Sequence, residues 1–369
     1  MSEKRGCPPV IGIDARKARD YGIGTYTREL IGALAALPET GMARFLLFVR
    51  PGDEPLFSGL PAHFSLATEP ATGYSAGELF GFGARIRRRR PDLFHALHYV
   101  LPLGVGVPSV VTVHDTIHLD FPADGASVLR YPYARIMLRR ALRTAAAVIS
   151  PTDAVREELR ALSPAGAAKL ETIPHGVPAR FGADVPEEDV RRIRDRYALP
   201  VRYALFLGGA KPHKNLPRVL EAFRKSNAPA LDLVLAGPMP GPEPPVADRV
   251  RGIGVVEETD LPALYRAADF LLYPTLAEGF CFPLLEAMAS GVPAIVSDIP
   301  ACREVAAGAA RLVDPRDPAS IAGAIEDLSR NAALREELGE KGRARARAFS
   351  WRRAAEATWN VYCRVLEGR

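Results

Sequence analysis

Cysteine is scarce in this chain. Cys7, Cys281, Cys302 and Cys363 are its only four, and they lack C-x-x-C spacing, so neither a zinc site nor a disulfide framework is indicated and reduced thiols are expected. Long apolar runs are missing too. No stretch approaches the roughly 18 unbroken apolar residues of a membrane span, and the opening Met-Ser-Glu-Lys-Arg-Gly-Cys-Pro-Pro has no apolar signal core, so a cytoplasmic protein is expected. There is no low-complexity tract and no repeat of about 20 to 50 residues that would mean a solenoid. Catalytic signatures are also lacking. Without Asp-x-Asp, H-E-x-x-H or G-x-x-x-x-G-K-[ST], neither a metal-held nucleotide nor a P-loop is supported, and neither a metal nor any other cofactor is expected. Gly22-Ile-Gly24-Thr-Tyr26 falls short of the dinucleotide fingerprint, because Thr27 stands where a third glycine is needed and no acidic residue is clearly placed for a ribose. No recognition motif or aromatic-basic series points to nucleic acid as a partner.

What is present suits two domains. The chain has 369 residues, 48% apolar and 25% charged, too long for one ordinary core. Apolar runs alternate with amphipathic stretches, the pattern of α/β architecture with parallel sheets. The first set of strands is expected at Val10–Asp14, Arg44–Val49, Asp92–Ala96, Ser109–Val113, Ala146–Ser150 and Lys169–Ile173. The second is expected at Tyr203–Leu207, Leu231–Ala236, Ile253–Val256, Phe270–Tyr273, Ala294–Ser297 and Arg311–Val313. This places a first domain over residues 1–178, a linker over 179–200, a second domain over 201–348 and a final helix over 349–369. Two doubly wound, Rossmann-like domains are expected to face each other across a cleft.

The net charge of +5 is unevenly spread: Arg85 with Arg87 to Arg90 forms one cluster, and Arg130, Arg135, Arg139, Arg140 and Arg143 another. Each is either a solvated helix face or a surface attracted to an anionic membrane or an acidic, lipid-linked ligand.

Three motifs carry chemistry. In Glu278-Gly-Phe-Cys-Phe-Pro-Leu-Leu-Glu286-Ala-Met-Ala-Ser-Gly291-Val-Pro, Pro283 suits the first helical position and Gly291 a helix end, so the spacing predicts a helix over about Pro283 to Ser290. Glu286 then falls in the first turn, with Glu278 on a loop whose N–H groups share the helix N-terminus. Two carboxylates would flank an anion site suited to a ligand with both phosphates and hydroxyls. A glutamate in a first turn gains about 0.3 to 1 kcal/mol from the helix dipole and needs no ligand. Phe206-Leu-Gly208-Gly209-Ala-Lys211-Pro-His-Lys214-Asn215 follows a strand and sends out two ammonium groups. They are placed either to meet a diphosphate or to sit in a solvated loop, with Asn215 capping the next helix. Val110-Val-Thr-Val-His114-Asp115 puts a histidine just past a buried strand, while His118 reads as structural.

The first motif resembles the E-x7-E signature of retaining GT-B glycosyltransferases, especially those of family 4: Glu278, Gly279, Phe280, Pro283, Glu286, Ala287, Gly291 and Pro293 match. Cys281 departs, standing where relatives usually carry glycine, and its side chain is expected to narrow the approach to the donor sugar. The resemblance runs from Ile11 to the Trp351 helix. It implies a GT-B fold whose last helix crosses back to the first domain, and metal-independent transfer of a hexose from a nucleoside diphosphate sugar to a saccharide or lipid-linked hydroxyl, with front-face retention. GDP-mannose is the favoured donor. The implied catalytic residues are His114, Lys214 and Glu278. The implied donor-binding set is Gly22, Gly24, Gly209, Lys211, Lys214, Glu278, Gly279, Phe280, Cys281, Phe282, Pro283, Leu284 and Glu286. Glu286 would take the ribose hydroxyls, Glu278 the sugar hydroxyls, and the lysines the leaving diphosphate, although Lys211 gives a point charge where some relatives have an arginine fork. His175 stands where relatives commonly have asparagine. Glu286→Gln and Lys214→Ala are expected to abolish transfer with the fold intact. A sugar-nucleotide epimerase and a catalytically silent nucleotide-sugar-binding subunit are the alternatives.

Overall fold

The computed structural model describes residues 7–73, 75–121, 130–239, 246–247 and 249–368. Contacts divide the chain into two units, Met1–Gly176 with Ser350–Arg369, and Val177–Phe349. The first holds a seven-stranded parallel sheet of β1 (Val10–Asp14), β2 (Arg44–Val49), β3 (Phe64–Thr68), β4 (Leu93–Ala96), β5 (Ser109–Thr112), β6 (Ala147–Ser150) and β7 (Leu170–Thr172), in the order β3-β2-β1-β4-β5-β6-β7. The second is built from β8 (Tyr203–Leu207), β9 (Asp232–Ala236), β10 (Val246–Ala247), β11 (Val250–Gly254), β12 (Phe270–Tyr273), β13 (Ala294–Ser297) and β14 (Arg311–Val313), in the order β10-β11-β9-β8-β12-β13-β14. Its pairs are parallel except the short β10 on β11.

Near-continuous apolar strands form these sheets because helices cover both faces. In the second unit the period of two is explicit. Leu205, Val234, Leu271 and Tyr273 enter one core, and their neighbours Ala204, Phe206, Leu233, Leu235 and Leu272 enter the other. Strand order reverses between β1 and β4 and between β8 and β12, and such switch points are where doubly wound sheets bind ligands, beyond the carboxyl ends of the strands.

The final helix, Trp351–Leu366, belongs to the first unit, as expected. It packs along the helix Tyr21–Ala35, burying Trp351, Ala354, Ala355, Trp359 and Tyr362. The Tyr362 hydroxyl lies 2.6 Å from His95 Nδ1 on β4.

Several expectations are corrected. Residues 179–200 are no linker: they carry the helix Glu187–Arg196, and Phe181, Val190 and Ile193 are part of the second unit's core. The charge-rich helix surface hides this inward stripe. β3 goes unrecognised because only Phe64 and Ala67 of its five residues are buried. β11 runs Val250–Gly254 rather than Ile253–Val256, and Val255 is exposed.

The arginine clusters are partly consumed internally. Arg85 pairs with buried Glu69 at 2.6 Å, Arg87 donates to the Gly104 carbonyl, and Arg140 donates to those of Leu101 and Pro102. Both clusters therefore flank the segment Leu101–Gly104, leaving Arg88, Arg89, Arg90, Arg139 and Arg143 exposed. The Arg130 side chain and most of the proline-rich stretch after Gly237 lie outside the described residues. Among the described residues, no helix is long and apolar enough to cross a membrane.

Candidate active site

In the second unit, the loops leaving two neighbouring strands are stapled together. β8 leads into Gly208, with φ +154°, and β9 into Gly237, with φ +125°; a Cβ on Gly237 would meet the Gly208 carbonyl oxygen at 2.6 Å. These glycines let the loops after β8 and β9 pass in contact, and Gly209 lies against Pro238 beside them. Asn215 does not cap the following helix with its side chain. It adopts a left-handed φ of 63°, and its buried Nδ2 donates to the carbonyls of Pro274 (2.8 Å) and Pro315 (2.7 Å). The Thr275 hydroxyl and the Leu276 N–H both donate to the His213 carbonyl at 2.7 Å.

This lacing brings Lys214 to Glu278. Lys214 Nζ donates to Glu278 Oε1 at 2.6 Å and also to the Tyr273 hydroxyl, which itself donates to Glu278 Oε1 at 2.7 Å. The ammonium sits 4.9 Å from the Tyr273 ring centroid. Burial opposes the charge on Glu278, but the Lys214 ammonium and the two hydrogen bonds outweigh it and hold the carboxyl below its usual range. Sequence reasoning keeps these two charges in separate roles, yet here they are one ion pair. Lys211 is exposed at the start of the same turn.

The helix after Glu278 spans Phe282–Ala289, so Pro283 is its second residue and Glu286 lies beyond the first turn. Glu286 is buried, with Oε2 accepting from the Tyr265 hydroxyl at 2.9 Å. Burial pushes its carboxyl up to about 7, against the pull of Tyr265 and the Arg180 guanidinium.

Cys281 is a second correction. Its φ of 60° explains why glycine suits this position, and a side chain there costs about 1 kcal/mol. The thiol does not project toward a ligand: it is buried, 2.7 Å from Cys302 Sγ. Phe280 and Leu284 likewise enter the core, and Phe282 packs against it. From Gly279 to Leu284, Phe282 and Pro283 keep partly exposed side chains, and the others are buried. Tyr265 and Tyr273 are hidden in the sequence because a tyrosine in an apolar run reads as core.

In the first unit, Gly22 and Gly24 lie inside the first turn of the helix Tyr21–Ala35. Gly24 is required by packing, since a Cβ there would meet the Ala18 carbonyl oxygen at 2.6 Å. His114 follows β5 and is half-buried. Its Nε2–H donates to the Leu97 carbonyl at 2.9 Å, so Nδ1 is the acceptor for His175 Nε2–H at 3.2 Å. Tyr26 packs against both rings, with centroids at 4.7 and 4.5 Å. Burial, more than the nearby Lys17 ammonium, holds His114 below its ordinary range. A neutral imidazole with both nitrogens engaged can position a ligand by its ring edge and main chain, but it is not free as an acid or base.

Among the described residues, no group of three or more His, Cys, Asp or Glu side chains is placed to hold a metal ion.

Comparison with known proteins matches the chain to two family models. One, described as Glycosyltransferase Family 4, covers residues 21–181; the other, Glycosyl transferases group 1, covers residues 190–345. The O-antigen chain mannosyltransferase B of Escherichia coli is 28% identical over 291 residues, 75% of each chain. A D-inositol 3-phosphate glycosyltransferase of Kineococcus radiotolerans is 29% identical over 336 residues, 80% of this chain and 76% of the relative. Among solved structures, the sucrose-phosphate synthase of Thermosynechococcus elongatus superposes with a TM-score of 0.75 at 21% identity, covering 98% of this chain and all of its own.

Proposed function

The chain belongs to the family 4 glycosyltransferases of GT-B fold, and we propose on that premise that it moves mannose from GDP-mannose to a saccharide or lipid-linked hydroxyl, with retention of configuration, in cell-surface polysaccharide or glycolipid synthesis. The observation that carries this reading is the cluster of Lys214, Glu278 and Tyr273 at a sheet switch point. An ammonium and a carboxylate in contact can be parted by one ligand that offers phosphate to the first and hydroxyls to the second. Likeness to a mannosyltransferase over three quarters of both chains supports the choice of sugar.

In the proposed reaction, the bond from the anomeric carbon to the diphosphate oxygen breaks as the acceptor oxygen attacks from the same face. The acceptor's proton passes to the departing phosphate oxygen. Lys214, Lys211 and the amides of the loops after β8 and β12 meet the charge that develops, the role a preorganised cationic site performs best where water is excluded. Glu286 receives the ribose hydroxyls and Glu278 those of the sugar. His114 positions the sugar. Lysines in place of a metal ion imply that transfer survives chelation by EDTA.

A thermal-shift panel of UDP, GDP, ADP and their sugars is the direct test. GDP-mannose at about a hundred times its Kd should add about 2.7 kcal/mol of stability, and transfer should then give an α-linked mannoside by NMR. Conversion of the sugar without acceptor would make the protein an epimerase. Stabilisation with no transfer to any acceptor would make it a binding subunit.

A second expectation concerns lipid. Of the exposed large hydrophobics, Phe80 lies in the turn just before the helix Gly83–Arg89, and Ile136 shares the helix Arg130–Thr144 with Arg139 and Arg143, a combination of arginine and apolar surface suited to an anionic bilayer. Vesicles containing anionic lipid should sediment the protein at low salt and release it at high salt. Equal binding to neutral vesicles would refute this.

A further inference from the structure

Tyr273 is the last residue of β12, buried at 1% exposure, and its hydroxyl stands inside the Lys214–Glu278 ion pair. The hydroxyl has one proton and commits it to Glu278 Oε1, because Lys214 can only donate. Three hydrogen bonds thus close a ring: ammonium to carboxylate, ammonium to phenol oxygen, phenol to carboxylate. Thr275 also lies 3.2 Å from the same carboxylate oxygen, but its proton is directed to the His213 carbonyl at 2.7 Å. Burial, reinforced by the Glu278 charge, keeps the phenol protonated throughout the neutral range. It is therefore a permanent donor.

A diphosphate arriving at this site must draw Lys214 from Glu278. If nothing else held Glu278, its carboxylate would lose its strongest partner at the moment it has to accept sugar hydroxyls. We propose that Tyr273 is a positioning residue for transfer: it keeps Glu278 Oε1 fixed while Lys214 turns to the diphosphate, so that Oε2 stays aimed at the sugar. The inference rests on the transferase reading above.

Tyr273→Phe tests this, since it retains the ring and removes only the hydroxyl. Glu278 keeps Lys214 as partner in the unliganded variant, so folding should persist. The variant should show a roughly tenfold lower kcat, with the affinity for nucleoside diphosphate, which lacks the sugar, within twofold of the parent. Unchanged kcat in Tyr273→Phe would overturn the proposal. So would a loss of kcat matched by an equal loss of nucleoside diphosphate affinity, which a general loosening of the loop would produce. Failure of the unaltered protein to transfer sugar would instead overturn the transferase reading, and this inference with it.

Discussion

Lys214→Ala is expected to lower transfer by at least about a hundredfold, the scale on which loss of one preorganised charge-stabilising donor is felt. It is also expected to destabilise the fold, contrary to what the sequence suggests. The Lys214 and Glu278 side chains are only 18% and 11% exposed, so removing the ammonium strands a carboxylate where burial already disfavours its charge. Breaking such a pair costs about 3 to 5 kcal/mol in well-buried cases, and this nearly buried pair should approach the lower end. The double variant Lys214→Ala with Glu278→Gln removes the stranded charge. Its melting temperature should recover while transfer stays absent. Equal melting temperatures for the parent and the single variant would show that the pair does not hold this loop together.

Glu286→Gln is expected to raise donor KM by roughly ten- to a hundredfold, the consequence of replacing charge-assisted hydrogen bonds to hydroxyls of about 1.5 to 3 kcal/mol, and to remove a pH dependence. The carboxyl sits at about 7, so it is largely protonated below neutrality and accepts hydroxyl protons with full charge only above it. Donor affinity of the parent should therefore rise from about pH 6 to pH 8, and that of the variant should not. Stability runs the other way. The folded chain holds this proton to higher pH than the unfolded chain, whose carboxyl titrates near its ordinary value of about 4.5, so the unliganded protein loses stability as pH rises across the window from about 4.5 to 7. The variant's melting temperature should gain on the parent's across that window. A constant difference would mean that Glu286 is ionised throughout.

Both predictions use contacts that the sequence conceals. Strands such as Tyr203–Leu207 and Ala294–Ser297 are legible to the residue because a buried parallel strand must be an unbroken apolar run. Glu278, Glu286 and Lys214 stand out as candidates because they are charged residues beside Gly and Pro at strand exits. What stays hidden is pairing between motifs. Lys214 meets Glu278 across 64 positions, and nothing local in either motif marks the other as partner. Tyr265 and Tyr273 are concealed differently: their rings satisfy the core pattern, so their hydroxyls pass unnoticed. The thiol of Cys281 is misjudged for want of its φ, because a left-handed residue aims its Cβ where a right-handed one would not. Gly24 and Asn215 show the converse error. Gly24 is fixed by its close approach to the Ala18 carbonyl, and Asn215, which reads as a cap, by its donations to the distant carbonyls of Pro274 and Pro315.

The return of the Trp351–Leu366 helix to the first unit also bears on how the chain is made. Its Tyr362 meets His95 across 267 positions, beside Thr112 and Tyr26, which continue the same buried hydrogen-bonded chain. During synthesis, a ribosome producing about 5 to 20 residues per second completes the whole second unit before this helix emerges. The first unit must wait for it with Tyr26 and Phe45 lacking the rings of Trp351 and Trp359. The second unit, being continuous in sequence, can close first although it is made second. Its early closure brings residue 349 back toward residue 177, which shortens the effective loop the last helix has to close. A nascent chain halted before Trp351 is the form of this protein most exposed to chaperones and proteases.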